Sequence, residues 1–93
     1  AIEGLTLSLA AEFAPKIRVN CIAPSLTDSK MTQKLTTNET IRKAIENMHP
    51  LPKIGSGEDF SDIGAYLLSN KNSWITGQIF HIDGGRSTLR IKA

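Results

Sequence analysis

Residues 17–31 read IRVNCIAPSLTDSKM. The opening run, Ile17 to Ile22, is rich in β-branched and apolar side chains and predicts a strand. Pro24 cannot donate to a sheet ladder, so it marks the strand's end. Ser25, Thr27 and Ser29 follow at once, so hydroxyls and backbone N–H groups gather where the strand stops. Either this is an ordinary strand exit or it is the rim of a binding site.

The rest of the chain frames that strand. In AIEGLTLSLAAEFA, residues 1–14, Ile2, Leu5, Leu9 and Phe13 form one apolar stripe and Leu7, Ala10 and Ala14 another. This pattern predicts a helix with two apolar faces, ended by Pro15. No capping residue precedes Ile2, so the segment reads as the middle of a helix. Thr36-Thr37-Asn38-Glu39 predicts a capping box with Thr36 as the cap. Ile41, Ala44, Ile45 and Met48 then recur at helical spacing up to Pro50. Ser56 with Asp59 predicts the start of a helix that turns Phe60, Ile63, Leu67 and Leu68 inward and stops near Asn70. A turn at Trp74 to Gly77 leads into a second strand, Gln78 to Ile82, and Asp83-Gly84-Gly85 forms its exit. Two strands joined by helical crossovers are expected to be parallel and adjacent. The fold class is therefore α/β, with two parallel strands and about three helices. A two-stranded parallel sheet is a poor core by itself, so an incomplete sheet is expected.

Composition narrows the function classes. The chain has 93 residues, 40% hydrophobic and 22% charged, which suits one small soluble globular unit. A net charge of +2 and 5% aromatics supply neither the basic stripe nor the stacking platforms of a nucleic-acid surface. No apolar run reaches the roughly 20 residues that cross a bilayer. The single cysteine, Cys21, is expected to be a buried, inert thiol, and no disulfide is possible within the chain. His49 and His81 have no second ligand at metal-binding spacing. Gly55-Ser56-Gly57 lacks the preceding strand and following Lys of a phosphate loop. An isolated serine needs a base within hydrogen-bond reach to act as a nucleophile. His81 is expected to be packed or solvated mid-strand. His49 is expected to end a helix, where a cation meets the dipole favourably. Ligands of open α/β sheets bind beyond the carboxyl ends of the strands, which singles out Pro24 and the hydroxyls after it.

Three stretches resemble one family in order and spacing. AIEGLTLSLAAEFAPKIRVNCIAPS resembles the helix after the catalytic Tyr-x-x-x-Lys and the sixth strand of classical short-chain dehydrogenases/reductases. HPLPKIGSGEDFSDIGAYLLS resembles the entry to their penultimate helix, and ITGQIFHIDGG their last strand. The resemblance, closest in kind to 3-oxoacyl-acyl-carrier-protein reductases, implies the C-terminal portion of a Rossmann-type doubly wound parallel sheet. Residues 1–93 would form the later part of a single NAD(P)-binding domain whose N-terminal half lies outside them. It implies an NAD- or NADP-dependent oxidoreductase that interconverts a carbonyl and an alcohol of a small molecule, as a cytoplasmic homo-oligomer, dimer or tetramer. The matching cofactor-binding residues are Pro24, Ser25, Leu26, Thr27 and Ser29, with the Thr27 backbone meeting the nicotinamide carboxamide. Ser25 stands where the family has Gly, and Ser29 where it has Thr. Residues from about Lys30 to Met48 match the variable substrate lid.

The family's Gly-rich loop, catalytic Ser and Tyr-x-x-x-Lys have no counterpart in these residues, so none is assigned as catalytic and no metal is expected. These 93 residues alone are expected to be inactive, marginally stable and prone to associate, because the first helix and the first strand each lack cover on one side. The alternative function is a non-catalytic interaction module that docks through the doubly apolar first helix and the last strand.

Overall fold

A computed structural model describes residues 1–25 and 33–90. Within them the order is α1 (Ile2–Phe13), β1 (Cys21–Pro24), α2 (Gln33–Thr36), α3 (Glu39–Glu46), α4 (Glu58–Leu68) and β2 (Ile79–Ile82). The two strands are parallel and adjacent, with Cys21 opposite Ile79 and Pro24 opposite Ile82. Both carboxyl ends therefore open at the same edge, as the crossover pattern predicts.

Strand β1 begins four residues later than Ile17 and includes Pro24. The reason lies in Arg18, Val19 and Asn20, which join the neighbouring turn largely through side chains. The Val19 N–H donates to Thr76 Oγ1 (3.0 Å), and Val19 accepts from the Gly77 N–H (2.8 Å). Asn20 donates its amide to the Ile75 carbonyl (3.1 Å) and accepts from the Gln78 N–H (3.1 Å). Its carboxamide supplements the backbone bond between Val19 and Gly77 ahead of the strand pair. The next backbone bond, from the Cys21 N–H to the Gln78 carbonyl at 2.9 Å, leads into the register.

Arg18 holds the end of α4. Its guanidinium donates to Asn72 Oδ1 and to the carbonyls of Leu67 (3.0 Å), Ser69 (3.3 Å) and Ile75 (3.4 Å). Asn72 is buried and donates in turn to the carbonyl of Tyr66. The last carbonyls of a helix have no partner within it, and a cation there also meets the negative end of the dipole. Helix α4 reaches β1 through Gly64, which leaves room for the Ile22 side chain. Helix α1 meets the turn before β2. Gly77, with φ of +69°, passes beneath Ala10 and Leu7 in a left-handed conformation that only glycine adopts freely.

Two helix starts differ from expectation. The cap of α3 is Asn38, whose side chain accepts from the Ile41 N–H (3.1 Å), while Thr36 ends α2 and bonds back to the Gln33 carbonyl. Thr36 and Asn38 are both good caps, and the one adjacent to Glu39 takes the role. At α4 the Ser56–Asp59 pair forms only the return half of a capping box. The Ser56 N–H donates to Asp59 Oδ2 (2.7 Å), but the Ser56 hydroxyl goes to the same carboxylate, and Gly57 occupies the cap position.

The apolar core is small. Ala10 and Ile54 are the buried apolar side chains among the described residues, whereas Leu68 is 88% exposed and Trp74 98% exposed. Leu68 was expected to point inward, but Phe60, Ile63, Gly64 and Leu67 take the covered side of α4, leaving Leu68 on its flank. On α1 the buried line is Thr6 and Ala10, and Ile2, Leu5 and Phe13 stay exposed. Cys21 is half-buried, less hidden than its apolar surroundings predict. The radius of gyration is 15.8 Å, against about 12 Å for a compact chain of this length. Directional polar contacts hold much of this arrangement together.

Candidate functional site

The carboxyl ends of β1 and β2 meet beside a cavity of about 220 Å³. Ser25, Ile82, Asp83 and Gly84 come to it from the strand exits, and His49, Leu51 and Lys53 from the segment after α3. Of the predicted cofactor residues, Pro24 closes β1 and is exposed, and Ser25 is half-buried just beyond it. Leu26, Thr27 and Ser29 lie outside the described residues, as does the start of the predicted lid.

Ser25 is not an isolated hydroxyl. Its Oγ lies 2.9 Å from His49 Nε2, and Arg86 Nη1 approaches it at 3.4 Å. His49 is only 5% exposed, and its Nδ1 lies 2.8 Å from the Ile45 carbonyl. A carbonyl can only accept, so Nδ1 carries a proton. In the neutral ring Nε2 is then an acceptor, and the Ser25 hydroxyl donates to it. No positive φ occurs outside glycine among the described residues, so Ser25 takes the strand exit without strain. Separation of Ser25 and His49 by 24 residues hid this pair from sequence reasoning. The available signal was a histidine at a helix end followed by the stiff Pro50-Leu51-Pro52.

A serine on a histidine resembles half of a hydrolytic triad. Here the histidine's far nitrogen rests on a neutral carbonyl, and a carboxylate in that place is what stabilises an imidazolium. The contact orients the hydroxyl, and without a carboxylate behind it an imidazolium formed by taking its proton would be poorly stabilised. His81 is exposed in the middle of β2, the solvated position expected of it.

Two carboxylates stiffen the rim. The Lys53 ammonium, 2.8 Å from Asp59 Oδ1, together with the Ser56 N–H, holds the Asp59 carboxyl below its ordinary value. Asp83 is likewise lowered, by the Ser87 side chain first and by the N–H groups of Gly85 (3.0 Å) and Ser87 (3.2 Å). Asp83 thereby folds the tail back over the strand end. Gly84 and Gly85 both have positive φ, and the Gly84 carbonyl accepts from the Leu51 N–H at 3.0 Å. No group of acidic, histidine or cysteine side chains among the described residues is placed to hold a metal ion. No helix among them is long and apolar enough to cross a membrane.

The described groups suit an amide or an anion: Ser25 Oγ offers an oriented acceptor to an N–H, the Arg86 guanidinium nearby offers a donor, and both stand at the open end of a parallel sheet, where a cofactor's polar end can settle.

Known proteins resemble this chain in sequence and overall fold. A family model described as enoyl-(acyl carrier protein) reductase matches residues 1–87. The 3-oxoacyl-[acyl-carrier-protein] reductase FabG of Rickettsia prowazekii is 46% identical over 83 residues, covering 88% of this chain and 34% of its own. Among solved structures, ElxO with NADP bound superimposes with a TM-score of 0.86 at 34% identity, over 96% of this chain and 37% of its own. A 4-hydroxyisoleucine dehydrogenase mutant complexed with NADH and succinate gives 0.89 at 33% identity, over 98% and 38%. The chain spans about a third of the length of the curated relatives it matches.

Proposed function

Because the chain belongs to the short-chain dehydrogenase/reductase family, we propose that residues 1–93 form the later part of one NAD(P)-binding domain in an oxidoreductase interconverting a carbonyl and an alcohol. One observation carries this reading: β1 and β2 are parallel and adjacent, and their carboxyl ends open together at Pro24 and Ser25. That is the ligand-binding edge of a dinucleotide-binding sheet.

When bound, the dinucleotide supplies the hydride. Pro24, Ser25, Leu26, Thr27 and Ser29 would hold its nicotinamide end. Ser25 donates a hydrogen bond to His49 and so offers its oxygen lone pairs, which suit the N–H of a carboxamide. ElxO was solved with NADP and the 4-hydroxyisoleucine dehydrogenase with NADH, and both dinucleotides share the nicotinamide end that these residues would meet. The identity with FabG favours a 3-oxoacyl thioester as the substrate class. A cytoplasmic homo-oligomer, dimer or tetramer, is part of the same reading.

No Tyr-x-x-x-Lys occurs in these residues: Tyr66 is the single tyrosine, and Asn70 stands four positions on. Proton transfer to the carbonyl oxygen is therefore assigned to none of them. The test is NADH and NADPH binding by the full-length gene product, followed by reduction of a 3-oxoacyl thioester. Binding of either dinucleotide, weakened by Ser25→Ala, supports the reading; binding of neither overturns it. A second reading, a non-catalytic interaction module, is favoured by the exposed Ile2, Leu5, Leu68 and Trp74. Stable self-association with no dinucleotide affinity would select it.

A further inference from the structure

We propose that His49 is a positioning residue that fixes the Ser25 hydroxyl as a hydrogen-bond acceptor at the cofactor side of the sheet. The proposal rests on the dinucleotide reading above and adds a residue and a role to it.

Three observations support it. First, His49 is among the least exposed side chains described, at 5%, and both of its ring nitrogens are engaged, Nδ1 on Ile45 O and Nε2 on Ser25 Oγ. The carbonyl on Nδ1 dictates the tautomer, and the tautomer dictates the direction of the Ser25 proton. A serine hydroxyl normally rotates to suit either a donor or an acceptor. Here its proton is committed, and its oxygen is left to accept, with Arg86 at 3.4 Å as a distant donor.

Second, His49 is clamped by backbone. Its N–H donates to the Glu46 carbonyl (3.1 Å), and two residues later the Leu51 N–H donates to Gly84 (3.0 Å). A side chain on Gly84 would meet His49 Cβ at 3.5 Å and the Leu51 carbonyl at 3.0 Å, so the base of the histidine side chain and the main chain just after it lie against the exit of β2. The imidazole thus spans from the end of α3 to the exit of β1 while its backbone is pinned to the exit of β2.

Third, Ser25 needs such a tether. The residue lies one position past the last ladder pair, Pro24 with Ile82, where no sheet bond orients it. A short side chain without a partner would sample three rotamers in solvent. The His49 contact selects one. Pre-orientation of a polar group reduces the ordering cost of binding.

The test uses the full-length gene product, with NADH and NADPH as probes and cofactor fluorescence as the readout. Ser25→Ala removes the acceptor. His49→Asn keeps an amide near the Nδ1 position, able to reach Ile45, and loses the reach to Ser25. His49→Gln keeps an amide near the Nε2 position. Loss of one oriented hydrogen bond predicts about fivefold weaker dinucleotide binding for Ser25→Ala and for His49→Asn. The double variant should bind no more weakly than either single one, and His49→Gln should restore binding to within about twofold. A purely structural histidine would instead lower the melting temperature of both His49 variants and show no difference between them in affinity. The nitrogen-15 shifts of His49 in the wild type give an independent arm: a protonated Nδ1 and a bare Nε2 support the proposal, and the opposite tautomer overturns it. Wild-type affinities for Ser25→Ala and His49→Asn overturn it too, with the dinucleotide reading intact. No dinucleotide binding by the wild type overturns both.

Discussion

Replacing Arg18 with Met tests whether polar clamping, more than apolar burial, holds α4 to the sheet. Methionine retains most of the stem, so the change isolates the guanidinium. The wild-type group makes two close bonds, to Asn72 Oδ1 and to the Leu67 carbonyl at 3.0 Å, and two long ones at 3.3 and 3.4 Å. Bonds from a charged donor contribute about 1.5–3 kcal/mol each. Arg18 is half-buried, so the lower end applies to the close pair and the long pair adds little. The expected loss is about 3 kcal/mol, with the helix-dipole contribution included. Arg18→Lys keeps the charge but cannot span acceptors on both sides, so it should recover about half of that. Urea unfolding followed by far-ultraviolet circular dichroism measures both. A double cycle with Asn72→Ala adds a second reading, since a shared network should show about 1 kcal/mol of coupling. If Arg18→Met lies within about 0.5 kcal/mol of wild type, the range of an unremarkable surface change, the clamp is ornamental and the apolar contacts carry more than their exposure suggests.

Other consequences are quicker to check. Gly84→Ala places a Cβ 3.0 Å from the Leu51 carbonyl at a φ of +63°, whereas Gly77→Ala meets only ordinary contacts at 3.6 and 4.0 Å. Gly77→Ala should therefore cost about 1–2 kcal/mol from the left-handed backbone alone, and Gly84→Ala clearly more, by urea midpoint. Asn20→Asp should be worse than Asn20→Ala, because a carboxylate keeps the bond from Gln78 N–H but turns an oxygen towards the Ile75 carbonyl; thermal melts at neutral pH rank them. Asp59 and Asp83 are both held below the ordinary 3.8. Their contribution is present above that value and lost as pH falls through the folded values, so Asp83→Asn should flatten the acid limb of a stability profile below pH 3.8. Trp74, the single tryptophan and 98% exposed, should emit like the free amino acid at low concentration and shift to the blue as the chain associates. Unchanged emission with a monomer by sedimentation at every concentration would remove the docking role assigned to that surface.

Much of the architecture was legible because it follows from order and spacing. Two apolar β-type runs separated by helices are expected to be parallel, and β1 and β2 are. The detail that escaped sequence reasoning depends on side chains standing in for backbone. The strand could not be seen to start at Cys21, because Asn20 and Thr76 make bonds that an apolar pattern does not reveal. Asn38 and Thr36 compete as caps, and asparagine, the stronger N-cap, takes the role. Leu68 follows Leu67 by one position, which turns it about a quarter of the way round the helix and out of the covered stripe. At the site, Pro24 and Ser25 were visible as a strand exit, but His49 was not, since a contact across 24 residues has no local signature.

Ser25 joins these threads. Its family resemblance sets it where glycine is usual, which suggests a backbone path that a side chain would disturb. The observed backbone is ordinary, and the hydroxyl finds a partner in His49 at a distance set by α3 and by the exit of β2. A glycine at this position would keep a flexible exit, free to follow whichever ligand arrives. A serine tied to His49 holds one arrangement before any ligand does. The substitution therefore exchanges backbone freedom for an oriented acceptor, and its effect depends on a residue that no local reading of IRVNCIAPS includes. Ser25→Gly and Ser25→Ala should consequently differ: both lose the acceptor, but the glycine also frees the exit, so any further drop in dinucleotide affinity beyond that of alanine measures the backbone's share.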